Sequence, residues 1–86
     1  MIVTSKAILE TSLQAYKKGK PFAIGAFNVN NMEQMQGIMM AAKETKSPVI
    51  VQVSRGALKY AQDLYLVNII KAGAELNPEV PLAIHL

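Results

Sequence analysis

The sequence predicts an α/β fold: a parallel βαβαβ arrangement preceded by one helix. Three observations carry this reading. Short apolar runs start at Phe22, Pro48 and Val80, each too short for a helix. Helical spacing of apolar residues fills the stretches between them. The first run is apolar on both faces, as in a parallel strand covered by helices rather than one side of an exposed hairpin. Right-handed parallel crossovers are then expected.

The chain has 86 residues, at most one small domain. A hydrophobic share of 51% suits a buried α/β core and excludes a disordered segment. No apolar run reaches the roughly 18 residues that cross a membrane. Met1 to Lys6 lacks the basic start and long apolar core of a secretory signal. The absence of cysteine excludes a disulfide framework and a thiolate metal site. Together these features predict a soluble, cytoplasmic protein.

The net charge of +3 is mild. Lys17, Lys18 and Lys20 form the only basic knot, at a predicted helix end where cations complement the helix dipole. With three Tyr, two Phe and no Trp there is no aromatic interleaving for stacking bases. Neither nucleic acid nor membrane is expected as a partner.

Thr4 or Ser5 can cap a first helix reaching about Lys18, with Ile8, Leu9, Leu13 and Tyr16 on one apolar face. Gly19 and Pro21 end it. Phe22 to Val29 is the first predicted strand. Asn31 caps a second helix, and Gln34 stands where a capping-box partner belongs. Met32, Met35, Ile38, Met39 and Ala42 form its stripe, which reads as core rather than as a cofactor or peptide groove. Val49 to Val53 is a β-branched strand, with Gly56 in the loop after it. A third helix is predicted from about Asp63 to Leu76, with Leu66, Val67, Ile70 and Ala74 facing inward. Asn77-Pro78 breaks it, and Pro81 to Leu86 begins another strand. No linker or low-complexity segment interrupts this order, so no domain boundary is expected.

Side chains alternate along a strand, so parity assigns the faces. Ile24, Ala26 and Asn28 share one face of the first strand; Ile50, Gln52 and Ser54 share one of the second; Ala83 and His85 share one of the third. If these faces look the same way, each runs from apolar to polar toward its carboxyl end. Asn28, Ser54 and His85, with Gln52 below them, would then line a common rim, as in a site at the top of a parallel barrel. Each residue has a plainer reading. Asn28 can be a turn residue bonding its own backbone. Ser54-Arg55-Gly56 can be a simple loop. His85 can be a hydrogen-bonded core histidine with Gln52 as partner. There is no paired-carboxylate cluster, no second histidine, no Gly-x-Gly-x-x-Gly and no P-loop. Composition and spacing alone reach a ligand-binding portion of an α/β fold.

Three segments resemble, in order and at its spacing, the amino-terminal part of the class II fructose-1,6-bisphosphate aldolases. They are Gly25-Ala26-Phe27-Asn28-Val29-Asn30-Asn31-Met32-Glu33-Gln34, the run from Ser47 to Tyr60, and Pro81-Leu82-Ala83-Ile84-His85-Leu86. Tagatose-bisphosphate aldolases share these motifs. The resemblance implies a zinc-dependent (β/α)₈ TIM barrel, of which residues 1–86 supply the leading helix, two βα units and the start of the third strand. It implies reversible cleavage of fructose 1,6-bisphosphate to dihydroxyacetone phosphate and glyceraldehyde 3-phosphate, in glycolysis and gluconeogenesis, the metal acting as a Lewis acid. It implies a homo-oligomer, dimer or tetramer. The family motif continues Asp-His-Gly beyond Leu86, so the catalytic aspartate and the first zinc ligand are expected outside this chain, with no catalytic or metal residue within it. Asn28 and Ser54 match substrate-contacting positions, the serine near a phosphate. His85 matches the motif's non-ligand histidine and, with Gln52, is expected to support the aspartate. Lys59 and Lys71 read as loop and helix-surface residues, so no Schiff-base lysine is expected.

Three of eight barrel strands would leave apolar edges open. The isolated chain is therefore expected to aggregate or fold only in part. The other readings are a non-catalytic piece that completes another chain and a small phosphate-binding α/β module.

Overall fold

Thr4 opens the first helix. Its backbone is extended (φ −78°, ψ 151°) and its Oγ1 accepts the Ala7 N–H at 3.1 Å. That bond satisfies one of the free donors of a helix start. Helix α1 then runs Ser5–Lys17, and Gly19 leaves it at φ +76°, a conformation glycine adopts without strain. The structure, a computed structural model, describes residues 1–86 throughout.

Three parallel strands follow, β1 (Ala26–Asn28), β2 (Val49–Gln52) and β3 (Leu82–His85), in the spatial order β1-β2-β3. Helix α2 (Met32–Thr45) joins the first two. Helices α3 (Arg55–Ala61) and α4 (Asp63–Leu76) join the second and third. Asn31 caps α2, its Oδ1 accepting the Gln34 N–H at 2.8 Å. Gln34 Oε1 accepts in return from Asn30, one residue before the cap, also at 2.8 Å. The reciprocal capping expected from the sequence is thus present, displaced by one residue.

Val49, Val51 and Val53 face the helices, with Val29 and Leu82 beside them. Met35, Met39 and Ala42 of α2, Ala57 of α3, and Leu66, Ile70 and Ala74 of α4 close over that face. Burying such a side chain contributes about 1.5–3 kcal/mol. Gly73 lets α4 approach α2 closely: a Cβ there would lie 2.6 Å from Met35 Cε and 3.1 Å from its Cγ. On the opposite side α1 packs against β3, and Ile8 and Ala83 are buried apart from the main core.

Four expectations need correction. The first strand is shorter than Phe22 to Val29. Its ladder runs from the Gly25 carbonyl, bonded by Ile50 N–H at 3.0 Å, to the Val29 N–H, bonded to Gln52 O at 3.1 Å. Phe22 to Ile24 pair with no strand, because in the register they lie opposite residues 46–48, which end α2 and precede β2; all three β1 residues are exposed. Ser54-Arg55-Gly56 is not a loop but the cap and first turn of α3, which also carries Lys59. Of the expected α1 face only Ile8 is buried, while Leu9, Leu13 and Tyr16 stand in solvent. Val67 and Met32 are likewise exposed, since each lies at the margin of its helix's buried stripe.

Candidate functional site

Parallel pairing fixes how the polar strand ends line up. Ala26, Ile50 and Ala83 form one cross-strand row. One pleat nearer the carboxyl ends, Asn28 pairs with Gln52 and Gln52 with His85. Residues level in a parallel sheet share a face, so the three polar side chains stand side by side on the face away from the core. In parallel α/β sheets the carboxyl ends of the strands are where ligands bind.

The row is open. Asn28 and His85 are exposed and Gln52 is half-buried. None of the three side chains makes a hydrogen bond within the protein: Gln52 and His85 are neighbours, but no bond joins them. Their amide and imidazole donors and acceptors are all free for a ligand or for further polypeptide.

Ser54 lies just beyond the row and is held differently. Its backbone is extended (φ −82°, ψ 163°), and its Oγ accepts the Ala57 N–H at 3.0 Å as the cap of α3. A hydroxyl has one donor and two acceptor lone pairs. The cap occupies one lone pair and fixes the side chain while leaving the O–H to donate. Sequence reasoning missed this capping role. Its signal was present: a serine followed by Ala57, Leu58 and Ala61 at helical spacing.

No three His, Cys, Asp or Glu residues gather anywhere in the chain. His85 is the single histidine, and a zinc site takes at least three protein ligands. Residues 1–86 therefore do not fit a zinc site by themselves.

The sequence profile described as class II fructose-bisphosphate aldolase matches residues 7–86, nearly the whole chain. The chain belongs to the class II fructose-bisphosphate aldolase family. Its relatives include proteins named fructose-bisphosphate aldolase from Giardia intestinalis and from Nostoc sp. The first is 57% identical over 65 residues, which is 76% of this chain and 20% of that protein. The second is 53% identical over 64 residues, or 74% of this chain and 18% of that one. A plasmid fructose-bisphosphate aldolase of Cupriavidus necator is 52% identical over 64 residues, covering 74% of this chain and 19% of its own. The chain thus spans about a fifth of the length of these curated relatives. Class II aldolases are lyases and generally metal-dependent. The α/β structure, with its parallel three-stranded sheet, is compatible with the amino-terminal part of an aldolase barrel. No helix is long and apolar enough to cross a membrane.

Proposed function

We propose that residues 1–86 are the amino-terminal part of a single TIM-barrel domain of a zinc-dependent fructose-1,6-bisphosphate aldolase, working in the cytoplasm in glycolysis and gluconeogenesis. The observation that carries this is the row Asn28–Gln52–His85 at the carboxyl ends of three parallel strands, with every side-chain polar group free. The rest of the barrel, the zinc ligands and the catalytic aspartate come from polypeptide that follows Leu86 in a protein of family length. The assembled enzyme is a homo-oligomer.

Within this chain the work is positioning. Asn28 offers both a donor and an acceptor toward the substrate's hydroxyl or carbonyl oxygens. Ser54 donates its O–H to a phosphate oxygen, its rotamer already set by the cap on Ala57, so little side-chain freedom is lost on binding. His85 and Gln52, adjacent in the row, orient the aspartate that follows.

The test is to express the reading frame through the residues after Leu86 and assay cleavage of fructose and tagatose bisphosphates, with metal analysis. Cleavage of the fructose ester, lost on chelation and restored by zinc, is expected. Preference for the tagatose ester moves the substrate, and absence of cleavage favours the non-catalytic piece. Sugar-phosphate binding by residues 1–86 alone, with a sharp cooperative unfolding transition, would favour an independent module.

A further inference from the structure

Helices α2 and α4 are the crossovers of neighbouring strand pairs, so they lie side by side over one face of the sheet. They meet where Gly73 approaches Met35, and above that contact a groove of about 860 Å³ runs between them. Met32, Gln36 and Met40 line it from α2, and Tyr65, Ile69 and Leu76 from α4. In a (β/α)₈ barrel the crossover helices form the outer ring. Units after β3 add beyond α4, and the closing unit adds beside β1. None of them comes between α2 and α4, so the groove opens on the outside of the completed barrel too.

This face carries more apolar surface than the fold uses. Met40 is 68% exposed, Tyr65 67%, Leu76 77% and Met32 50%. At those exposures the four side chains present roughly 400–500 Å² of apolar area. A standard interface takes about 800 Å² from each partner, about 65% of it apolar in homodimers. The groove face holds nearly that much, in the methionine and aromatic side chains that interfaces favour.

The charges on α2 suit a second copy running antiparallel. Glu33 stands in its first turn, with Lys43 in the last turn and Lys46 at the cap. A two-fold axis at Met40 points Glu33 of each copy toward the Lys43–Lys46 end of the other, and Glu44 toward the other's Gln36. The two helix dipoles then run opposite ways as well.

We propose that the α2–α4 groove is the two-fold contact of the homo-oligomer, Met40 of each copy seating in the groove of the other. The assignment rests on the homo-oligomer proposed above and adds the surface through which it forms.

Sedimentation of the family-length polypeptide tests this. Met40→Glu puts a charge into each of the two grooves of one contact. It should raise the dissociation constant at least about a hundredfold and halve the sedimenting mass, with helical circular dichroism unchanged. An unchanged mass would overturn the contact and leave the homo-oligomer standing. A parent that is monomeric at every concentration would overturn both. A second measurement covers a variant that fails to fold. On a background without other cysteines, a short bis-maleimide linker should join two copies through Met40→Cys. It should not do so through Glu75→Cys, which lies on α4 exposed but outside the groove. Equal yields would overturn the proposal, and so would a Met40→Cys thiol shielded by later polypeptide of its own chain.

Discussion

On one face of the sheet, Val49, Val51, Val53 and Leu82 lie buried under α2, α3 and α4. On the other, the same strands present Asn28, Gln52 and His85, with no side-chain hydrogen bond among them. In β2 the alternation is residue by residue: Val51 is fully buried and Gln52, next to it, is half-open. A strand can thus hold the fold together with every second residue and leave the others for ligands. Changes on the helix-covered face should cost stability, and changes on the open face should cost binding.

The largest expected effect breaks or supports this contrast directly. Leu66, fully buried between α4 and the sheet, should lose about 2–5 kcal/mol of unfolding free energy as Leu66→Ala, from lost transfer energy plus a cavity. Gln52→Ala, on the open face, should stay within about 0.5 kcal/mol of the unsubstituted protein. Urea unfolding of the family-length polypeptide measures both. If Gln52→Ala costs as much as Leu66→Ala, the two faces do not divide the labour.

Ser54 sits where the contrast is least clean, because it caps α3 and is proposed to meet substrate. Two substitutions separate the roles. Ser54→Ala should cost about 0.5–2 kcal/mol of stability through the lost cap, and Ser54→Gly only a few tenths. A hydrogen bond to a charged group contributes about 1.5–3 kcal/mol. Both variants of the family-length enzyme should therefore weaken phosphate-bearing substrate by up to roughly a hundredfold. Neither should change zinc content. Wild-type substrate kinetics in Ser54→Gly would leave the serine as a cap and nothing more.

Much of this was legible in the residues. The limits of α4 at Asp63 and Leu76, the caps Thr4 and Asn31, and the buried pair Met35 and Met39 all follow from local spacing and capping chemistry. Parity, if the three faces looked the same way, put Asn28, Ser54 and His85 on one rim with Gln52 below them; the register instead sets Gln52 level with Asn28 and His85, and Ser54 lies beyond the row. What local spacing could not supply is pairing. Phe22 to Ile24 look like strand, but in the register they lie opposite residues 46–48, which end α2 and precede β2, so no ladder forms there. Met1 to Val3 look like a lead-in because three residues carry no periodicity, yet β3 recruits them. Leu9, Leu13 and Tyr16 have the spacing of a buried face, but nothing within these residues covers them.

Two joints of the helical layer hold a residue other than glycine at positive φ, Lys46 at the end of α2 and Gln62 between α3 and α4 (φ 65°), and the first allows a clean test. Lys46 ends α2 in the left-handed region (φ 54°, ψ 44°), where its N–H reaches Ala42 and Lys43 carbonyls and the Ser47 N–H bonds Ala42 O at 2.9 Å. Left-handed backbone costs a side-chain-bearing residue roughly 1–2 kcal/mol, and glycine is free of that cost but gains entropy when unfolded. Lys46→Gly should therefore raise stability by about 0.5–1 kcal/mol in the same urea titration. A loss of stability would mean that the lysine side chain, not the backbone, matters at this joint.

The smallest effect belongs to the rim of the covered face. Lys43 Nζ lies 3.4 Å from Glu79 Oε1, linking α2 to the turn before β3, with both side chains largely in solvent. The Glu79 carboxyl is held below its ordinary value of 4.5, chiefly by a backbone hydrogen bond at Glu79 itself and further by the charge and hydrogen bond of Lys43. A depressed folded-state pKa stabilises the fold above the unfolded value, and that contribution disappears as pH falls through the folded one. Stability from this group should therefore be constant near neutrality and fade on acidification below 4.5. Because the pair is exposed and screened, salt should diminish the Lys43 share while leaving the backbone share in place. Unfolding curves of the parent and Glu79→Gln, taken down the acid limb at low and high salt, separate the two. The parent's extra acid sensitivity over Glu79→Gln should shrink but persist in high salt. If it vanishes, the Lys43 ion pair and not the backbone bond holds the carboxylate.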